Sequence, residues 1–316
     1  MRQPTFLQLH HESDEAVRAE LALGLLADTP RVAPKFLYDL LGSRLFDAIT
    51  ELPEYYPTRT ERSIFETQRE SIAAVAGRGM TLVDLGAGNC EKAAGWFDAL
   101  APRQYVAVDI SVEYLRQALG SLQQRHADLP MLGLGLDFSS QLRLPIEVGD
   151  GPRLLFYPGS SIGNFTPDGA VAFLRRARAS SPGGNLLIGV DLVKASAALE
   201  AAYDDALGVT AAFNLNLLLH VNRLIGSDFN VRDWRHIALF NEAESRIEMH
   251  LEARRELAVQ WPGAERRFAA GERIHTENSY KYRTETFEAL LHAAGFRQAR
   301  CWCDEEGSFA VFCASA

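Results

Sequence analysis

From Thr81 onward, short apolar runs that read as strands alternate with amphipathic runs that read as helices, and few folds accommodate that alternation. Strands joined through helices lie parallel in one sheet with both faces covered. The candidate strands are 81–85, 105–109, 131–136, 153–157 and 186–191. The first turns on Gly86 and Gly88 into a predicted helix over 90–100. A helix opened by Ser111 follows the second, with Val112, Leu115, Leu119 and Leu122 on its apolar face. Thr166-Pro167-Asp168 starts another, with proline at its first position, and Ser181-Pro182-Gly183-Gly184 ends it. The fold class read from the pattern is therefore α/β.

Acids sit where such a sheet binds ligands. In open parallel sheets the ligand lies at the carboxyl ends of the strands, and Asp84, Asp109, Asp137 and Asp191 fall at or near those ends. Asp109 has the spacing after the glycine turn expected of a carboxylate that takes a ribose diol. Asp137 beside Phe138 reads equally as a partner for an adenine amino group, with a stacking ring, or as a cap on a strand end. Gly86-x-Gly88 is followed by Asn89-Cys90-Glu91, so the third glycine of a dinucleotide fingerprint is missing. That departure argues against a nicotinamide or flavin site. Asp-x-Gly-x-Gly at a strand end resembles instead the first motif of S-adenosylmethionine-dependent methyltransferases.

A formal net charge of -9 argues against a polyanionic partner, since nucleic-acid binding leaves a basic footprint. No apolar run is long enough to span a bilayer, and no leader is read at the start, so a cytoplasmic, reduced protein is expected. Cys90, Cys301, Cys303 and Cys313 show no metal-type pairing, and the three near the C-terminus are expected to be buried small residues.

Outside the alternating region, 14–27 reads as a helix capped by Ser13. The block from Lys35 to Glu61 is rich in tyrosine and proline and reads as a packed loop or as a binding segment. Residues 196–225 read as helical. Ile247, Met249 and Leu251 alternate with polar residues, as do Leu257, Val259 and Trp261, which predicts a hairpin between them. The run 274–282 is a further strand, on which Glu277 and Ser279 share a face. A helix over 284–294 and two strands, 300–303 and 309–313, finish the chain.

Taken together, these segments resemble the histidine-specific Nα-methyltransferase family of the ergothioneine pathway. The resemblance rests on Phe36-Leu37-Tyr38-Asp39 with Gly42-Ser43, Leu45-Phe46-Asp47 and Leu52-Pro53-Glu54-Tyr55-Tyr56-Pro57-Thr58-Arg59. It continues through Pro158-Gly159-Ser160-Ser161-Ile162-Gly163-Asn164, Tyr203-Asp204-Asp205 with Thr210-Ala211-Ala212-Phe213-Asn214, Arg246-Ile247-Glu248-Met249, and Thr276-Glu277-Asn278-Ser279. Ser161 stands where threonine is common in that family, and Asn278 where an apolar residue is common.

The resemblance implies a Rossmann-like class I methyltransferase sheet with a second, discontinuous α+β substrate-binding domain. The cofactor domain would be 60–194 plus 284–316, and the substrate domain 1–59 plus 195–283. It implies S-adenosylmethionine as cofactor, bound by Gly86, Gly88, Lys92, Asp109, Asp137 and Phe138. It implies L-histidine as substrate, methylated successively to hercynine. Asn164 and Tyr203 would take the α-carboxylate, and Tyr38 would face the amine among Gly159, Ser161 and Phe213. Glu277 and Ser279 would bind the imidazole, with Tyr55 nearby and Met249 against the ring. A monomer free of nucleic acid and membrane is the expectation. A methyltransferase of another aromatic amino acid or indole amine, or a non-catalytic cofactor-binding protein, are the rival readings. A nucleic-acid N-methyltransferase would carry an Asn/Asp-Pro-Pro-aromatic motif where this chain has Tyr157-Pro158-Gly159.

Overall fold

The computed structural model describes residues 2–9 and 13–316. Among them the strands run β1 (Thr5–Gln8), β2 (Thr81–Leu85), β3 (Gln104–Asp109), β4 (Met131–Gly135), β5 (Arg153–Tyr157) and β6 (Asn185–Asp191). They continue as β7 (Trp234–Asn241), β8 (Arg246–Ala253), β9 (Leu257–Trp261), β10 (Ala264–Phe268), β11 (Arg273–Tyr280), β12 (Gln298–Cys303) and β13 (Phe309–Ser315). The described residues divide into two compact units, one of 2–9, 57–193 and 280–316, the other of 13–56 and 194–279.

The first unit is built on an eight-stranded sheet of order β1-β4-β3-β2-β5-β6-β13-β12. Neighbours from β1 to β6 pair in parallel, whereas β13 runs antiparallel between β6 and β12. Period-two alternation divides the inner strands between two faces. Val83, Leu85, Val106, Val108, Leu155 and Tyr157 join one core, and Leu82, Tyr105, Ala107, Leu154 and Phe156 join the other. Strand order reverses about β2, with β3 on one side and β5 on the other, which opens a crevice at their carboxyl ends.

Strand β1 corrects the expected boundary, because residues 5–8 pair with β4 in this sheet rather than joining the other segment. Room is made by Gly133: a Cβ there would lie 2.4 Å from the Phe6 ring. The Arg116 guanidinium covers that ring from 4.5 Å. The helix expected over 90–100 is two short ones, Glu91–Ala94 and Phe97–Leu100. Between them Gly95 weakens the helix and the Trp96 N–H closes onto the Ala93 carbonyl, one residue short of the α pattern.

The two ends of the long excursion after β6 are stitched together. Tyr282 donates its N–H to the Asp191 carbonyl at 3.0 Å, and Val193 donates to the Tyr282 carbonyl at 2.9 Å. Lys281 Nζ meets Asp191 at 2.7 Å, with both side chains buried.

In the second unit, β11-β8-β7 form one sheet and β9-β10 a separate antiparallel hairpin. The expected pairing of 247–251 with 257–261 is therefore wrong. β8 takes β7 and β11 as neighbours, and the tight Pro262-Gly263 turn, with Gly263 at φ 92°, gives β9 its partner in β10. The run 196–225 is two helices, Ser196–Tyr203 and Val209–Ile225. Asp205 ends the first pattern and caps the second, accepting the N–H groups of Val209 at 3.0 Å and Thr210 at 2.7 Å. The tyrosine- and proline-rich block is ordered as a 3-10 turn, Pro34–Leu37, and a helix, Leu40–Thr50, followed by the helix Tyr56–Thr67, which belongs to the first unit from Pro57 on.

The cysteine expectation fails at two of three positions. Cys313 is buried on β13, but Cys301 and Cys303 are exposed, because edge strand β12 buries only Trp302. Among the described residues no helix is long and apolar enough to cross a membrane.

Candidate active site

The glycine turn after β2 has the geometry a close ligand needs. Gly86 and Gly88 have φ of 71° and 51°, a region open to glycine and strained for other residues. A Cβ on Gly88 would meet nothing within 4 Å, so space lies over the turn. The Gly88 N–H is held by Asp109 Oδ2 at 2.9 Å, and Asp109 Oδ1 accepts the Ser111 N–H at 2.8 Å. Burial holds the Asp109 pKa above its ordinary value against these bonds. A carboxylate accepts up to about four hydrogen bonds, so two main-chain donors leave capacity for a diol. Asp137 is buried, and its Oδ1 caps the following turn by accepting the Ser139 N–H at 2.9 Å. Phe138 packs edge-on to Tyr157 at 5.7 Å, and its tip lies 3.7 Å from where a Gly86 Cβ would stand. Asp84, by contrast, points into the core. It accepts the Tyr105 hydroxyl at 2.7 Å, and burial pushes its pKa up to about 7.

Lys92 completes this side. Its Nζ pairs with Glu61 at 2.7 Å and would lie 3.3 Å from a Gly159 Cβ. Gly159, Ser161 and Asn164 follow β5 in the same unit, the last two within a 3-10 turn. The donor set of main-chain groups, two carboxylates, one ammonium and an aromatic face fits an adenosyl amino acid.

The other predicted residues belong to the second unit, and the aromatic ones among them pack as a wall with Phe46. Tyr38 meets Phe213 edge-on at 5.5 Å and Phe46 at 5.7 Å. Phe46 meets Tyr55 at 6.3 Å, and Tyr55 meets Tyr203 at 6.1 Å. The residue after Tyr38, Asp39, caps the next helix through the Gly42 N–H at 2.7 Å. Asp39 also accepts Asn216 Nδ2 at 2.7 Å and pairs with Arg223. Gly42 is required there, since a Cβ would collide with the Leu37 carbonyl at 1.8 Å.

Tyr203 is held at both ends. Its hydroxyl donates to Ser279 Oγ at 2.7 Å, and its carbonyl faces His236 Nε2 at 2.8 Å. The other ring nitrogen of His236 faces Asn214 Nδ2 at 2.9 Å. An amide nitrogen can only donate, so the His236 proton sits on Nε2 and the ring is neutral. Burial lowers its pKa accordingly. Glu277 and Ser279 are both buried on β11, and neighbouring Thr276 donates to the Met249 carbonyl at 3.0 Å. Met249 is itself buried on β8.

The family described as histidine-specific, S-adenosylmethionine-dependent methyltransferases matches residues 17–316. The chain belongs to this family. It is 42% identical to a histidine N-alpha-methyltransferase of Mycolicibacterium smegmatis over 94% of each chain. It is 40% identical to the protein of the same name from Mycobacterium tuberculosis, again over 94% of each. Ergothioneine biosynthesis protein 1 of Neurospora crassa is 32% identical over 87% of this chain, which spans 32% of that longer protein.

As a methyltransferase of this family, the chain also has supporting residues around its site. Of these, Asp39 and Asn214 fall inside the motifs, whereas Glu61, Asn216 and His236 do not. Outside the motifs, Glu61 alone carried a signal. It falls three and four positions before Ile64 and Phe65, so a carboxylate lies on the buried stripe of its helix.

Proposed function

We propose that this chain transfers methyl groups from S-adenosylmethionine to the α-amino nitrogen of L-histidine, successively, to give the trimethylated betaine hercynine, the first step toward ergothioneine. The supporting observation is a family match across nearly the whole chain, joined by relatives named for histidine Nα-methylation at 42% and 40% identity. We assign the first unit to the methyl donor and the second to the imidazole side of the substrate. The enzyme is expected in the cytoplasm as a monomer acting on a free amino acid.

When bound, S-adenosylmethionine supplies a methyl group on a positively charged sulfur. The chain's own task is orientation and exclusion of water. Gly86, Gly88, Lys92, Asp109, Asp137 and Phe138 would hold the donor. Asn164 and Tyr203 would hold the substrate carboxylate, with Gly159, Ser161 and Phe213 around the amine. Glu277 would accept an imidazole N–H beside Ser279, with Tyr55 and Met249 against the ring. The nucleophile must be the neutral amine. Tyr38 would orient it, and the released proton would pass to solvent.

Mass spectrometry of histidine incubated with the purified protein and S-adenosylmethionine tests the proposal, with tryptophan and tyrosine as parallel substrates. Gains of one, two and three methyl groups on histidine alone are expected. Gain on another amine with silence on histidine would overturn the substrate. For Tyr38, the phenylalanine variant should keep residual activity that recovers at high pH. Loss at every pH would make Tyr38 an obligate base.

A further inference from the structure

Glu61 is a carboxylate in the wrong place for an ordinary helix residue. Its side chain is 1% exposed, on the helix Tyr56–Thr67, and it makes two charge-assisted bonds. Oε2 meets Lys92 Nζ at 2.7 Å, and Oε1 accepts the Gly159 N–H at 2.7 Å. The sheet makes space for it. A Cβ on Gly189 of β6 would stand 2.0 Å from Glu61 Oε1, and that glycine has no turn or positive φ to explain it. The loop that Glu61 grips is strained. Gly159 and Ser160 are consecutive left-handed residues, at φ 74° and 59°, and the second is not glycine. Such backbone persists only where its surroundings over-determine it. Here the surroundings are Glu61 on one side and the Asp191 N–H on the other, which donates to Ser160 Oγ at 2.8 Å.

Resting on the donor site assigned above, we propose that Glu61 is a positioning residue that fixes the Lys92 ammonium and the Gly159-Ser160 loop before the methyl donor arrives. A free lysine loses rotamer freedom when it captures an anion, and holding it beforehand removes that loss from binding. Lys92 remains 35% exposed in its side chain, and one of its three N–H donors is engaged by Glu61, so it keeps donors for a ligand carboxylate. The opposing effect is Coulombic, since a fixed carboxylate near the ligand's own would weaken binding. Glu61 points both oxygens at donors of its own, and the Lys92 ammonium offsets its charge, so the positioning effect is the larger.

Calorimetric binding of S-adenosylhomocysteine to the full chain separates the two. Wild-type affinity tests the donor site itself. Glu61→Gln keeps an oxygen for the Gly159 N–H but loses the charge that fixes Lys92, and should weaken binding by about tenfold or more, the value of a lost charge-assisted bond. Lys92→Met should weaken it comparably, and the double variant should be no weaker than Lys92→Met alone. Gly189→Ala should reproduce the loss by displacing the carboxylate without changing it. In turnover, Glu61→Gln should raise KM for the donor while kcat and KM for histidine change little. Unchanged or tighter binding by Glu61→Gln, or effects that multiply in the double variant, would overturn the proposal.

Discussion

The Tyr203 hydroxyl donates to Ser279 Oγ at 2.7 Å, so a helix end and strand β11 are joined inside the second unit by one buried bond. Removing the hydroxyl with Tyr203→Phe takes this donor away from Ser279, which is 4% exposed. Unfolding in urea should show a loss of about 0.5–1.5 kcal/mol, the usual net worth of such a bond. If Tyr203 also holds the substrate carboxylate, KM for histidine should rise about tenfold or more. A stability loss with unchanged KM would restrict Tyr203 to a structural role.

Glu277 should set selectivity. It is buried on the same strand face as Ser279, and a buried carboxylate facing an imidazole N–H is strong when paired and unfavourable when left alone. Glu277→Ala should lower kcat/KM for histidine by about tenfold or more and relatively favour indole and phenyl side chains. Competition between histidine and tryptophan measures this directly, and an unchanged ratio would refute it.

Asp84 makes the first unit less stable as pH rises. Burial lifts its carboxyl from 3.8 to about 7 in the folded chain. Between those values the unfolded chain releases this proton and the folded chain keeps it, so the group's contribution is full below about pH 4 and lost by about pH 7. Asp84→Asn retains an oxygen for the Tyr105 hydroxyl and removes the titration. Urea midpoints from pH 5 to 8 should therefore favour the variant progressively over wild type, and parallel curves would exclude the effect.

The four cysteines should differ sharply in reactivity. Cys301 and Cys303 Sγ atoms lie 3.7 Å apart on the exposed side of β12. The bond from Cys301 brings the Cys303 thiol down to about 7, while Cys301 is pushed up. Burial raises Cys313 to about 12 and also raises Cys90. Iodoacetamide at neutral pH should label Cys303 first and Cys90 and Cys313 only after unfolding, as peptide mass spectrometry would show. Cys301→Ala should slow Cys303 labelling.

Much of this structure could be read from residue order alone, and the exceptions have identifiable causes. The strands β2 to β6 announce themselves because both faces are buried, leaving near-continuous apolar runs. Caps at Ser13 and Thr166 hold as read, accepting Ala16 N–H at 3.1 Å and Gly169 N–H at 3.2 Å. Strand β1 escaped because four residues carry too little pattern. Strand β7 escaped because Ile237 to Phe240 are consecutive and only half-buried, which blurs alternation. Of the site, the motif residues could be named, but not the partners that support them from elsewhere in the chain. Asp39 adjoins Tyr38 in the same motif, whereas Asn216 and Arg223 reach Asp39 from a helix far along the chain. Such partnerships depend on tertiary approach and leave no local trace.

The main-chain stitch between Val193 and Tyr282 has a meaning for how this protein could diversify. Because departure from β6 and return toward β13 are fastened side by side, everything encoded between them forms a cassette with adjacent ends. Such a segment can lengthen, shorten or be exchanged by recombination without shifting the register of either strand, as is typical of tolerated insertions. The groups proposed for the acceptor's side chain on this insert, Met249, Glu277 and Ser279, could thus change by trading it, while Tyr38, Tyr55 and the inherited methyl-donor machinery stay in place.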